Sequence, residues 1–208
     1  MKPYIFYLLY TFSTALTYAQ NDTLHFCIGL RDTRYLQIEY TIGRHFPIQL
    51  EHSLYSDKLK LQHYRVSAGY SDQFFRSRLY TGFRAYWGGI WRGNYQDYGA
   101  FLTLGYCFDS HQRYQVAVTL NPHYDTGLDY KTCFSSEALV GWNDVGSFVM
   151  EYRTIPEFRQ SEERIRLGID IHFWSSSYGC LAVRPLISIP IHQRYEKIRL
   201  HVNFNYMF

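Results

Sequence analysis

Beyond its first 19 residues, the 208-residue chain has no apolar run long enough to cross a membrane as a helix. That absence leaves strands open, because a strand alternating between two environments averages out to ordinary hydropathy. Cysteine is scarce: Cys27, Cys107, Cys133 and Cys180 stand far apart, with no C-x-x-C spacing. Thiolate metal sites are therefore not expected. In an oxidising compartment four thiols would allow three disulfide pairings, among which spacing does not choose. HExxH, the phosphate loop and the dinucleotide fingerprint are missing, so neither metal nor cofactor is expected. The net charge of +3 includes no basic cluster, which argues against a nucleic-acid partner.

Aromatic residues are abundant, with 21 Tyr and 15 Phe. At the chain start, Lys2 precedes an apolar run over residues 4–16, then Thr17 and Ala19 supply small side chains before a cut. Residues 1–19 are expected to be a cleaved secretory signal peptide, and residues 20–208 one domain. The alternative, an uncleaved helical anchor, has a run shorter than the ~20 residues of a span.

From residue 24 onward, apolar residues recur at every second position in one segment after another. Leu24, Phe26 and Ile28 alternate with His25, Cys27 and Gly29, and Leu36, Ile38 and Tyr40 with Gln37, Glu39 and Thr41. Ile165, Leu167, Ile169 and Ile171 stand against Arg166, Gly168, Asp170 and His172. Each segment has one apolar and one polar face, as a strand between two media requires. Turn residues separate about twelve such segments. A bulge near Gln62 and His63 is expected from a slip in phase between Leu61 and Tyr64. Long loops are expected at residues 88–96, 123–132 and 154–163, after the fifth, seventh and ninth strands, with short turns at 109–112, 143–146 and 175–179, after the sixth, eighth and tenth.

The last segment, IRLHVNFNYMF, places Phe204, Tyr206 and Phe208 on one face and ends the chain on an aromatic residue. It resembles the C-terminal signal strand of small Gram-negative outer-membrane β-barrels. The resemblance implies an all-β fold, a closed antiparallel transmembrane barrel in the outer membrane, with Phe204, Tyr206 and Phe208 read by the barrel assembly machinery. Twelve strands are expected, with ten or eight as alternatives if the first hairpins or the eighth strand are misread. Aromatics sort to the two strand ends, as two lipid interfaces would select.

On this parity the lumen receives Glu39, Arg78, Arg84, Glu151, Arg153, Arg166, Asp170, Arg184, Arg199 and His201, together with Arg31, Arg65, Arg113, Glu51 and Glu137. Arginines outnumber acids in that set. Two pairs are expected: Glu151 with Arg166, and Asp170 with Arg184. Mutual neutralisation would fill a narrow lumen, whereas the arginine surplus points to a channel for small anionic solutes. A surface receptor or adhesion barrel, or a structural barrel with a plugged lumen, is the alternative. A lipid-modifying barrel hydrolase is the rival from the enzymes. It would need His and Ser on one strand face, and the adjacent His52 and Ser53 point to opposite faces. No catalytic residue is expected. His123, Asp125 and Asp129 form an acidic loop cluster without metal-ligand spacing.

Overall fold

A computed structural model describes residues 22–30, 34–54, 62–74, 78–109, 113–126, 129–142, 145–154, 163–176, 179–191 and 198–207. Twelve strands are present: β1 (Thr23–Leu30), β2 (Arg34–Ile42), β3 (Phe46–Leu54), β4 (Gln62–Phe74), β5 (Leu79–Ile90), β6 (Gln96–Cys107), β7 (Tyr114–Asp125), β8 (Asp129–Trp142), β9 (Gly146–Arg153), β10 (Arg164–Ser176), β11 (Gly179–Pro190) and β12 (Arg199–Met207). Each pairs antiparallel with its sequence neighbours, and β12 returns to pair with β1, from His25 opposite Met207 to Leu30 opposite Val202. The sheet is a closed barrel.

Side chains are distributed inside out. Ile48, Leu50, Phe83, Leu102, Leu104, Val118, Phe148, Met150 and Ile187 are exposed on the outer face. Their inward neighbours include Ser67, Asp97, Asn121, Glu151, Arg166, Ser188 and His201, all buried. An apolar outside and a charged inside suit a barrel in hydrocarbon, where closure also satisfies the backbone groups an open edge would leave unpaired. Exposed rings collect at both rims. Tyr70, Phe108, Tyr114, Phe148 and Phe173 lie toward the near end, where β1 begins and β12 finishes, and Trp87, Trp91 and Tyr98 toward the opposite, far rim. Tyr98 also packs on Tyr124 with ring centroids 4.9 Å apart. Phe208 and the side chains of Tyr130 and Trp142 lie outside the described residues.

Three sequence expectations are corrected. The expected loop at 88–96 contracts to residues 91–95, because Gly88 and Gly89 continue β5 opposite Tyr64, Asp97 and Gln96. The expected loop at 123–132 contracts to residues 126–128, with His123, Asp125 and Pro122 inside strands. This far-rim connection is as short as the turn at residues 43–45, so loop length does not separate the two ends there. Third, β4 pairs with β3 and β5 in unbroken register from Gln62, without a bulge at His63; Leu59 and Leu61 lie outside the described residues. The register shift that does occur is between His172 and Trp174 in β10.

Inward tyrosines lie over glycines of the neighbouring strand. A Cβ on Gly105 would stand 1.9 Å from the Tyr80 ring, one on Gly29 1.8 Å from Tyr35, and one on Gly99 2.8 Å from the Tyr86 hydroxyl. Glycine removes the side chain that would hold these rings upright, so they cover bare backbone instead. Gly105→Ala should cost about 1–3 kcal/mol by displacing Tyr80. Much of that should return in G105A/Y80A, measured by urea unfolding in vesicles. On the outer face, Leu102→Arg should cost about 2–4 kcal/mol in the same assay, and much less in a detergent micelle that deforms around the charge.

Candidate functional site: a charged lumen

Closure turns the polar face of every strand into one interior, so partners there are set by register. Arg166 and Glu151 are directly opposed on β10 and β9, with 3.7 Å between Nη1 and Oε2. Arg184 on β11 donates to Asp170 Oδ2 at 2.7 and 3.2 Å, and its Nη1 stands 3.5 Å from Glu137 and 3.6 Å from Glu151. One guanidinium thus gathers three carboxylates, of which Glu137 and Glu151 face each other across β8 and β9. Across the lumen Arg84 pairs with Glu39 at 2.9 Å and also meets Gln49, which receives the Ser67 hydroxyl at 3.5 Å.

The far half holds a second network, most of which sequence reasoning placed in loops or left out. His63 Nε2 and Asp97 Oδ1 are 2.8 Å apart, and Arg65 Nη2 donates to Asp97 Oδ2 at 2.5 Å. The strand between them, β5, carries Gly88, where a Cβ would stand 2.5 Å from Asp97 Oδ1 and 3.2 Å from His63 Nε2. The missing side chain lets β6 reach β4. The Arg65 guanidinium lies 4.5 Å over the Tyr86 ring. Tyr86 meets His123 Nδ1 at 2.5 Å and Asn121 Oδ1 at 3.1 Å, and His123 Nε2 meets Asp125 Oδ2 at 3.1 Å. His63, Asp97, Asn121, His123 and Asp125 are no more than 2% exposed although they sit near strand ends. On the other wall of this half, Arg164 is buried and donates to Ser188 Oγ at 2.7 Å and to the Ser188 carbonyl at 3.1 Å.

Toward the near end the interior opens. A cavity of about 390 Å³ is lined by Arg84, Arg153, Tyr70, Tyr80, Thr103 and Thr119, among others, and no carboxylate contributes to its wall. A neighbouring space of about 210 Å³ touches Arg153, Arg166, Arg184, Glu137 and Glu151.

Not every arginine read from the sequence faces this interior. Arg78 is exposed in the turn before β5. Arg113 is exposed at the near rim and pairs with Asp109 at 2.9 Å. Burial opposes ionisation of Asp109, but its bonds from the Arg113 side chain and from the Tyr114 and Arg113 backbone N–H groups outweigh this and lower its pKa. Arg31 lies outside the described residues. Asp97 and Asp125 must be added to the acids, which removes the arginine surplus as a property of the whole lumen. Arg199 is half-buried opposite Ser188, and His201 is buried opposite Leu186.

The four cysteines are not in disulfides: Cys27, Cys107 and Cys133 are buried and Cys180 half-buried. Ser53 is buried on the inner face and His52 half-exposed on the outer. Ser53 lies opposite His63, yet its hydroxyl donates to Glu51 at 3.3 Å. Among the described residues, no group of three or more His, Cys, Asp and Glu side chains is arranged to hold a metal.

No family model matches the chain, and no curated protein matches it. Solved structures do. The KdgM porin in complex with disordered oligogalacturonate is similar with a TM-score of 0.62 and 9% identity, over 89% of this chain and 98% of that one. The chain shares the closed-barrel fold of that structure. A second KdgM porin structure gives a TM-score of 0.61 over the same shares, again at 9% identity. At that identity the likeness is one of architecture, and the lumen residues must be read from this chain itself.

Arg184→Met would leave Asp170, Glu137 and Glu151 together without their shared cation. A stability loss of about 2–4 kcal/mol at neutral pH is expected, below the fully buried case because Arg184 keeps 21% exposure. The loss should shrink at acid pH as the carboxylates take up protons, which urea midpoints at about pH 7 and pH 4 would show.

Proposed function

We propose that this is an integral barrel of a Gram-negative outer membrane and a narrow channel for small anionic solutes. It would be exported with residues 1–19 as a cleaved signal and inserted by the barrel assembly machinery acting on Phe204, Tyr206 and Phe208. The near end, where β1 begins and β12 finishes, is then periplasmic. Outer-membrane lipid is the solvent of the exposed apolar face.

The observation that carries the anionic reading is the 390 Å³ chamber walled by Arg84 and Arg153 with hydroxyls and rings and without a carboxylate. The Arg84 guanidinium, which also holds Glu39 at 2.9 Å, and that of Arg153 reach this wall and offer N–H donors to a carboxylate or phosphate. Thr103 and Thr119, whose hydroxyls are 2.9 Å apart, and Tyr80 supply hydrogen bonds for a polar solute body. Oligogalacturonate, the ligand in one KdgM porin complex, is an anion of this general class. Selectivity on this reading comes from a local cationic wall, since the lumen as a whole is nearly balanced in charge.

The buried far half favours a second reading, a plugged barrel with a structural or receptor role. Single-channel recording of the refolded mature protein in a planar bilayer separates the two. Stable openings should show anion preference in a salt gradient, and Arg84→Gln with Arg153→Gln should move the permeability ratio toward cations several-fold. A folded barrel that carries no current, or a double variant with unchanged ion preference, would overturn the anion-channel reading.

A further inference from the structure

Three spaces of the lumen run into one another. The 390 Å³ chamber and the neighbouring 210 Å³ space share Ser135 and Arg153. A third space, also of about 210 Å³, shares Tyr80, Thr103, Thr119 and Ser135 with the chamber and Glu137 with its neighbour. A cation, Arg153, and a carboxylate, Glu137, therefore border one connected volume. Register fixes their separation. Arg153 on β9 lies directly opposite Ser135 on β8, and Glu137 is two residues further along β8 on the same face. Diagonal neighbours of this kind are roughly 7–8 Å apart at the backbone. Two charge-assisted hydrogen bonds of about 2.8 Å each, with an acid group and an ammonium on one carbon between them, fill a span of that order.

Glu137 is the carboxylate best placed to receive such an ammonium. Of the three around Arg184 it is the most open, with 35% of its side chain exposed against 11% for Glu151 and 12% for Asp170. It is also held less closely than Asp170: Arg184 stands 3.5 Å from Glu137 but 2.7 Å from Asp170. A second acceptor belongs to the same space. Asn203 lies opposite Arg184 on β12, is 9% exposed, and lines the cavity with Glu137. Its amide oxygen has no hydrogen-bond partner among the described residues. The two ends of an amide have the same shape, so the group turned over presents that oxygen to the cavity. A buried acceptor without a donor is costly, and an ammonium carries three donors. A channel for anions in general would gain nothing from an open carboxylate beside its cationic wall.

We propose that the chamber prefers small acids that also carry an amino group, with Arg153 taking the acid group and Glu137 and the Asn203 amide oxygen taking the ammonium. Arg84, on the same chamber wall, receives a second acid group where the solute has one. This names the solute class of the channel proposed above and rests on that reading, but binding is measurable without current.

L-Glutamate and glutarate test it, because they share a carbon chain and two carboxylates and differ in the amino group. Glutarate has the larger negative charge, so a purely cationic wall would hold it more tightly. The wild-type protein folded in detergent micelles would be titrated with each at about pH 7 and followed by saturation-transfer NMR. Glutamate should bind at least about fivefold more tightly than glutarate. Glu137→Gln should abolish that preference while binding glutarate at least as well as the wild type. Asn203→Ala leaves the ion pairs in place and should lower the preference about twofold or more, so it carries the test if Glu137→Gln fails the heat-modifiable gel shift that reports folding. Glutarate binding as tight as glutamate or tighter, no binding of either, or a folded variant that keeps the wild-type preference would overturn the proposal. Bilayer recording separates the two readings. A glutamate preference in micelles without current would sink the channel and keep the binding site; anion-selective current without the preference would sink the site and keep the channel.

Discussion

Every peptide N–H and C=O within hydrocarbon must find its partner in the protein, and the rest of the molecule follows from that requirement. In a sheet it is met only by closure, and here closure is the pairing of β12 with β1. Once the ring is shut, each strand has one face in lipid and one in a confined interior, so alternation becomes obligatory over the membrane-spanning height. The exposed Leu102 and Leu104 alternate with the half-buried Phe101 and Thr103 for this reason.

Confinement then governs the interior. Twelve strands leave room for side chains and little else in the far half, where small residues make the space for large ones. Gly88 admits the Asp97–His63 contact across a whole strand, and Gly29, Gly99 and Gly105 let Tyr35, Tyr86 and Tyr80 lie flat. Charges inside answer one another because a lone buried charge is costly. Arg184 among three carboxylates and Arg84 between Glu39 and Gln49 are local solutions to that cost. Beside the 390 Å³ chamber the wall itself is formed by Arg84 and Arg153 without an acid, Glu39 being engaged by Arg84.

The site was partly legible before the fold. Glu151 opposite Arg166 follows from counting back across one hairpin, and Asp170 beside Arg184 from counting across the next. Local counting fails for the far network. His123 and Asp125 follow a proline and precede Gly127, a pattern that reads as a loop, and the paired glycines before Trp91 read the same way. Both stretches are strand because their neighbours supply register partners, which no single segment contains. The apparent arginine surplus is a consequence: Asp125 reads as a loop residue and Asp97 falls between loop and strand, while Arg78 and Arg113 count as inside.

By itself, the sequence determined the alternating period, the face on which each strand residue falls, the rims from the aromatics, and hence a transmembrane barrel of about twelve strands. These are local quantities, fixed by the two-residue repeat of a strand. Only the tertiary structure decided the height at which each inward residue meets the others. Arg65 and Asp97, 32 positions apart, touch because register carries them to one level over a glycine. Partnership in the lumen depends on the stagger of all the strands around a closed ring, and no local pattern encodes that stagger.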